Sequence, residues 1–240
     1  MRLVGSQRRA AVHEYYFARG RLGDIVAYRT SSSSELEGEW VALERCNRLM
    51  EQIIWETNAS SYLCWIGGSN NFRKEIDPEY KAHRKDKPKP IHLQACREFL
   101  VTNWNTKVTD GCETDDMLAL SQTQDTIICS IDKDLLQVPG LHYNFVKGEE
   151  YLISRYDGLK NFYRGLIIGD VADNIKGVAG LGKVKTERIL NELEPNEYNL
   201  ATQELYGDLE RYERNKKLMW LWREEGGTWT LERENLSVRL

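Results

Sequence analysis

Apolar positions along the chain fall into short blocks whose spacing alternates between two periods. Leu36, Trp40, Leu43, Leu49, Met50, Ile53 and Ile54 recur near helical spacing. Ser34 and Glu37 stand ahead of them at capping-box separation, so a long amphipathic helix is predicted to run to about Thr57. Tyr62 to Ile66 predicts a buried strand closed by Gly67 and Gly68. Thr126 to Ser130 predicts a central strand, Tyr143 to Phe145 and Tyr151 to Ile153 shorter ones, and Asp24 to Tyr28 a first one. Leu93, Cys96, Phe99 and Leu100 predict a helix, and Asp115 to Leu120 another. From Leu159 the pattern is mostly helical, through Arg211 to Arg223. Residues 1–23 are basic and show no period. Strands alternating with helices predict an α/β core, with a helical region added after it.

Composition narrows the class. With 41% hydrophobic and 29% charged residues over 240 positions, the chain reads as a soluble globular protein with room for a sizeable core. No apolar run approaches the roughly 20 residues of a bilayer span, and the first residues lack a secretory apolar segment. Five cysteines without a Cys-x-x-Cys spacing read as reduced thiols, which together predicts a cytoplasmic protein with no membrane partner. The net charge of −4 argues weakly against nucleic acid, but its distribution argues for it. From Arg73 to Lys89 seven basic residues face four acidic ones, and Lys176, Lys183, Lys185 and Arg188 gather near a glycine-rich stretch. Phosphate backbones respond to such local potential rather than to the total charge.

The strongest chemical signal is acidic. Glu113, Asp115 and Asp116 form one burst, Asp132 and Asp134 a second, and Asp170 and Asp173 a third. Each burst adjoins an apolar segment, so a fold can bring them together. Taken alone, acids at helix starts and in turns are ordinary capping chemistry. Taken together, clustered carboxylates repel one another unless cations neutralise them, and all-oxygen donors suit Mg²⁺ or Mn²⁺. Two such ions about 4 Å apart can activate water and hold a scissile phosphate. The four histidines lack ligand spacing.

Two further elements point toward a phosphate backbone. Gly177, Gly180 and Gly182, with Lys183 and Lys185, open a helix whose first amides form an anion site. The spacing is not that of a Walker loop; the stretch reads either as a structural turn or, better, as a sequence-independent clamp on duplex phosphates. Tyr80, Lys81, Arg84 and Lys85 interleave an aromatic with cations, a pattern for stacking on bases and holding phosphates. Asp77-Pro78 and Pro88-Lys89-Pro90 interrupt that segment.

The order Tyr80-Lys81-x-x-Arg84, Glu113-x-Asp115-Asp116, Ser130-x-Asp132-x-Asp134, Gly169-Asp170-x-x-Asp173-Asn174-Ile175-x-Gly177-Val178-x-Gly180-x-Gly182 resembles that of structure-specific 5′ nucleases, the flap endonuclease and 5′–3′ exonuclease family. Asn71 to Lys74, Pro78-x-Tyr80-Lys81 and the late Trp220-Leu221-Trp222 are most similar to the phage-type exonucleases. The resemblance runs from about Asp24 to Arg223. It implies a central, mostly parallel sheet flanked by helices, a basic arch over about 70–92, and a helix-three-turn-helix that grips duplex backbone through a bound K⁺. The implied division is a divergent segment 1–23, a nuclease core 24–158 and a helical region 159–240. The implied activity is Mg²⁺- or Mn²⁺-dependent, two-ion hydrolysis of DNA near 5′ ends, nicks or flaps, extending to RNA in RNA–DNA hybrids and to work beside replication proteins. By matched position Glu113, Asp115, Asp116, Asp132, Asp134, Asp170 and Asp173 would hold metal, Lys81 and Arg84 would contact the scissile phosphate, and Gly180, Gly182 and Lys183 would sit on the duplex. Arg73, Tyr80, Lys85, Gly177 and Lys185 complete the expected DNA-contacting set.

The chain departs from the family pattern twice. The family's first strand carries a metal-binding Asp two residues before Asp24, where this chain has Leu22; a second Asp is expected near Gly68. Asp24 is expected to compensate by a shift of register. The alternative reading is a catalytically weakened DNA-structure binder that keeps the clamp; a ribonuclease of the toxin type fits least, because it has no use for the Gly177–Gly182 element.

Overall fold

The computed structural model describes residues 38–84, 89–224, 226 and 227, and the backbone of 10–14. A six-stranded sheet runs in the order β3-β2-β1-β4-β5-β6, with β1 Ala10–Glu14, β2 Ser61–Ile66, β3 Lys107–Val108, β4 Thr126–Cys129, β5 Gly140–Asn144 and β6 Glu149–Ile153. All neighbours pair in parallel except β6, which closes the edge antiparallel to β5. The mixed α/β architecture and the mostly parallel sheet match expectation.

Alternation along β4 explains the layers. Ile127 and Cys129 join a core with Met50 and Ile53 of α1 (Glu39–Thr57) and Cys96 and Leu100 of α3 (Leu93–Asn103). Ile128, on the opposite face, joins Leu118 of α4 (Thr114–Ser121) with Leu135, Val138 and Leu221. Successive strand residues point to opposite faces, so a strand buried throughout serves two cores. All five cysteines are free and buried, and Cys46, Cys64, Cys96 and Cys129 belong to the first of these cores.

A third core gathers Phe162, Tyr163 and Leu166 of α5 (Arg155–Ile168) with Leu190 of α6 (Lys183–Asn191), Tyr198 and Tyr206 of α7 (Tyr198–Tyr206), and Tyr212 of α8 (Leu209–Met219). A two-residue hairpin pair, β7 Gly169–Asp170 and β8 Ile175–Lys176, links α5 to the glycine-rich loop. The short helix α2, Arg73–Ile76, begins the basic segment. No helix among the described residues is long and apolar enough to cross a membrane.

Three expectations are corrected. Residues 10–14, expected in a divergent segment ahead of the core, supply β1, in register between β2 and β4. β5 starts at Gly140 rather than Tyr143, because its pairing with β6 extends back to Gly140 opposite Ile153. The last helix ends at Met219 rather than Arg223, where Arg73 and Gln137 take the Leu218 and Met219 carbonyls that a further turn would use. The strand and capping box expected over 24–37 fall outside the described residues.

Candidate active site

The carboxyl edge of the sheet collects the three acidic bursts. α1 stops at Thr57 because Asn58 takes a left-handed turn, φ 49°, and its N–H reaches back to Ile54 and Trp55. That turn sends the chain into β2 and on to the loop 67–72, where Asn71 Nδ2 donates to Glu113 Oε1 at 2.9 Å. Glu113 is the N-cap of α4, with Asp115 and Asp116 in its first turn, where the helix dipole favours negative charge. Past β4, Asp132 caps a 3₁₀ turn over Lys133–Gln137 by accepting the Asp134 N–H at 2.8 Å. Between β7 and β8, Asp170 Oδ1 accepts the N–H groups of Ala172 at 2.6 Å and Asp173 at 3.1 Å, which folds the turn that carries Asp173.

Glu113, Asp115, Asp134, Asp170 and Asp173 line one cleft of about 400 Å³, which Lys133, Arg164 and Lys183 also border. Their charges are met by cations of the chain itself. Lys81 Nζ contacts Glu113 Oε1 and lies 3.4 Å from Asp173 Oδ2, and Arg84 Nη2 reaches Asp173 Oδ1 at 2.5 Å. Lys133 Nζ lies 3.2 Å from Asp170 Oδ2 and 3.9 Å from Asp134 Oδ1. The Tyr80 hydroxyl spans Glu113 Oε2 at 3.0 Å and Asp173 Oδ2 at 2.9 Å.

The carboxylates of the cleft are pushed in opposite directions. Burial, then Asp132, pushes the Asp134 carboxyl up to about 7, with Asp170 and Asp115 adding to the rise. Glu113 moves the other way: burial alone would raise it, but Lys81 and Arg73 hold it below the usual carboxylate range. Burial opposes the charge of Lys133, and Asp134 and Asp170 outweigh it, so the ammonium is held more firmly protonated. Burial and the neighbouring Glu113 raise the Tyr80 phenol, which stays protonated.

No three acidic, His or Cys side chains among the described residues converge as a ready metal site. The donor set still fits a hard divalent ion: five carboxylates share one cleft, and burial with mutual repulsion keeps Asp134 from ionising freely. Lys81, Arg84 and Lys133 occupy the places where counter-charge is needed.

Several expected contacts lie elsewhere. Arg73 is 1% exposed and forms a two-pronged ion pair with Asp116, itself 0% exposed, so it is not a surface contact for DNA. Tyr80 is 3% exposed, its ring packed with Ile175 and Leu218, so it has no face to offer a base. Both corrections share a cause: each side chain has a polar end satisfied by buried acids and a stem that fills core. Gly177 packs rather than contacts, since a Cβ there would fall 2.3 Å from Ile167 O. Gly180 needs its left-handed φ of 76°, and Gly182 is the open N-cap of α6. Lys183 is exposed, and Lys185 Nζ reaches Gly180 O at 3.2 Å. Asp24 and Lys85 lie outside the described residues.

Lys133 and Gln137 are site residues that the sequence motifs do not single out. Position between Asp132 and Asp134 was a signal for Lys133. Gln137 had none: its amide takes Met219 O and Leu221 N, 82 and 84 residues away.

Against known proteins, the chain is 28% identical over 169 residues to the flap endonuclease Xni of Shewanella sp. (strain W3-18-1), covering 59% of this chain and 63% of that one. It is 24% identical over 198 residues to the exonuclease of Escherichia phage T7, covering 70% and 65%. To the DNA polymerase I of Chloroflexus aurantiacus it is 33% identical over 138 residues, 47% of this chain but only 14% of the polymerase. The chain thus spans less than two thirds of each of these relatives. Among solved structures, the bacteriophage T5 5′-exonuclease with bound divalent metal ions (zinc) has the same fold, with a TM-score of 0.65, 20% identity and coverage of 88% and 89%. The T5 flap endonuclease in a pseudo-enzyme-product complex with DNA and metal ions follows at a TM-score of 0.63, 19% identity and coverage of 86% and 87%. The profile of the 5′-3′ exonuclease N-terminal, resolvase-like domain matches residues 13–162, more than half of the chain, and the protein belongs to that family.

Proposed function

We propose that the protein is a divalent-metal-dependent 5′ nuclease that hydrolyses phosphodiester bonds in DNA near 5′ ends, nicks or flaps. The observation that carries this reading is the single cleft that five carboxylates share, bordered by Lys133, Arg164 and Lys183, with Lys81 paired to Glu113 and Arg84 to Asp173. The relatives named as flap endonuclease and exonuclease, and the neighbours solved with metal ions and DNA, support it. Glu113, Asp115, Asp134, Asp170 and Asp173, with Asp132 two residues before Asp134, are the residues that would hold Mg²⁺ or Mn²⁺. Bound there, two such ions would supply nucleophile activation and neutralise charge on the phosphate.

The chain's own groups do the rest. Lys81 and Arg84 rest on Glu113 and Asp173, whose oxygens would face metal. Once those carboxylates are otherwise neutralised, both cations are free to hold the scissile phosphate and its developing charge. Lys183, exposed at the start of α6 beside the open Gly182, holds duplex backbone without reading bases. A K⁺ in the glycine-rich loop, action on RNA–DNA hybrids and work beside replication proteins belong to the same reading.

The test is cleavage of a 5′-labelled flap and a nicked duplex with Mg²⁺, with EDTA, and by Asp170→Asn. Cleavage that survives EDTA or that substitution would sink the metal reading. A second reading, a DNA-structure binder with weakened catalysis, is favoured by the lack of convergence of any three acids among the described residues. It predicts flap binding with no Mg²⁺-dependent product.

A further inference from the structure

We propose that Asp116 is a positioning residue rather than a metal ligand. With Arg73 it forms a buried hub that locks the chain's strap, residues 218–222, onto the acid-bearing helix α4. The role within a nuclease site rests on the function proposed above; the hub itself does not.

The hydrogen-bond inventory of Asp116 is full. Oδ1 accepts from Arg73 Nη2 at 2.8 Å and from the Trp222 N–H at 3.3 Å. Oδ2 accepts from Arg73 Nη1 at 2.6 Å and from the Glu113 N–H at 3.0 Å. A carboxylate has about four lone-pair sites, so none is left for an ion. Helix geometry supplies the reason. Adjacent helical residues are about 100° apart, so Asp115 can line the cleft while Asp116 faces the strap.

Arg73 completes the hub on its other side. Its Nε donates to Leu218 O at 2.7 Å and Nη2 to Trp220 O at 3.0 Å. These are carbonyls at the end of α8, where orphaned acceptors and the helix dipole both favour a cation. Burial opposes the charge of Arg73, but Asp116, with Glu113 and Tyr80 adding to it, outweighs that effect and holds its pKa well above the ordinary value. Phe72 stacks on Trp222 at 5.2 Å and 19°, and Gln137 pins Met219 O and Leu221 N at 3.0 Å each. Arg73 also begins the segment that carries Tyr80, Lys81 and Arg84. One ion pair therefore fixes the acids of α4, the cations opposite them and the helical region relative to one another.

Removing one partner of a buried ion pair strands the other charge, so variants of Arg73 and Asp116 should share one phenotype. The experiment measures Mn²⁺ affinity by calorimetry, and tryptic cleavage after Arg223 at the strap's end, for Arg73→Met, Arg73→Lys, Asp116→Asn and Asp134→Asn. Both Arg73→Met and Asp116→Asn should speed tryptic cleavage about tenfold or more, and their Mn²⁺ affinities should stay within about tenfold of each other. An Asp116→Asn protein that binds Mn²⁺ over tenfold more weakly than Arg73→Met, or whose strap is cut at the wild-type rate, overturns the proposal. Asp134→Asn reports on the metal reading separately: if it leaves Mn²⁺ binding intact, that reading fails and the tryptic rates alone decide the hub. Arg73→Lys keeps the charge but loses the fork, and settles the strap question should the other variants not fold; its strap should be cut faster than wild type, and an unchanged rate counts against the hub.

Discussion

Lys81 holds an uncommon backbone conformation, φ 57°, with its N–H bonded to Asp173 O at 3.0 Å and its ammonium on the acids. A non-glycine residue in that region stores on the order of 1 kcal/mol, and here the acids and the turn at Asp173 hold it in place. Lys81→Ala should lower single-turnover cleavage of a flap about 100-fold or more while flap affinity changes only a few-fold, the signature of a contact made in the transition state. Gly177→Ala tests a different residue-level claim. Its Cβ would meet backbone on three sides, the Ile167 carbonyl and the Ile168 and Gly169 units, none of which can swing away. Loss of about 1–3 kcal/mol or more in urea unfolding is expected, with the slope m unchanged.

At the scale of elements, the long helix α1 and strands β2 and β4 were legible because their burial follows the periods the sequence shows. Met50 and Ile53 are fully buried where helical spacing put them, although Trp40 and Trp55 on the same helix are 73% and 82% exposed. Strand β1 was illegible. Ala10 to Glu14 has little apolar signal, and its place comes from pairing on both sides with β2 and β4. The acids were legible as a cluster; the inward turn of Arg73 and Tyr80 was not, because their partners lie as far off as Asp173 and Trp220. A buried charge is decided by such distant partners, which no local pattern encodes.

The sheet edge also carries a pH dependence. His142 on β5 is 2% exposed, and burial lowers its pKa even though the ring N–H donates to Val138 O at 2.8 Å. The folded ring resists a proton that the unfolded ring takes up below its ordinary 6.5, so stability is unaffected above that pH and falls as pH drops through it. Below it, wild-type stability should fall more steeply with pH than that of a variant lacking the ring. Comparing urea midpoints of wild type and His142→Gln between pH 7.5 and 5.5 checks it; an equal decline in both removes His142 as the cause.

For the whole molecule, a metal held by these carboxylates would make stability depend on divalent cations in solution. A ligand at 100 times its Kd adds about 2.7 kcal/mol, so Mg²⁺ or Mn²⁺ should raise the melting midpoint and EDTA should lower it to the metal-free value. Calcium binding without cleavage would give the same shift. Lys183 borders the same cleft, and Lys183→Ala should weaken duplex binding equally across sequences and reduce the salt slope by about 1. A loss confined to certain sequences would place base contacts at α6 instead.

The five buried thiols give the fold a built-in clock. Cys46, Cys64, Cys96 and Cys129 sit at 0–1% exposure and Cys112 at 3%, so a thiol-reactive probe finds no target until a layer opens. Because Cys112 adjoins Glu113 while Cys46 and Cys96 lie between α1 and α3, the order in which they are labelled would separate breathing of the cleft from opening of the far core, with no engineered residue required.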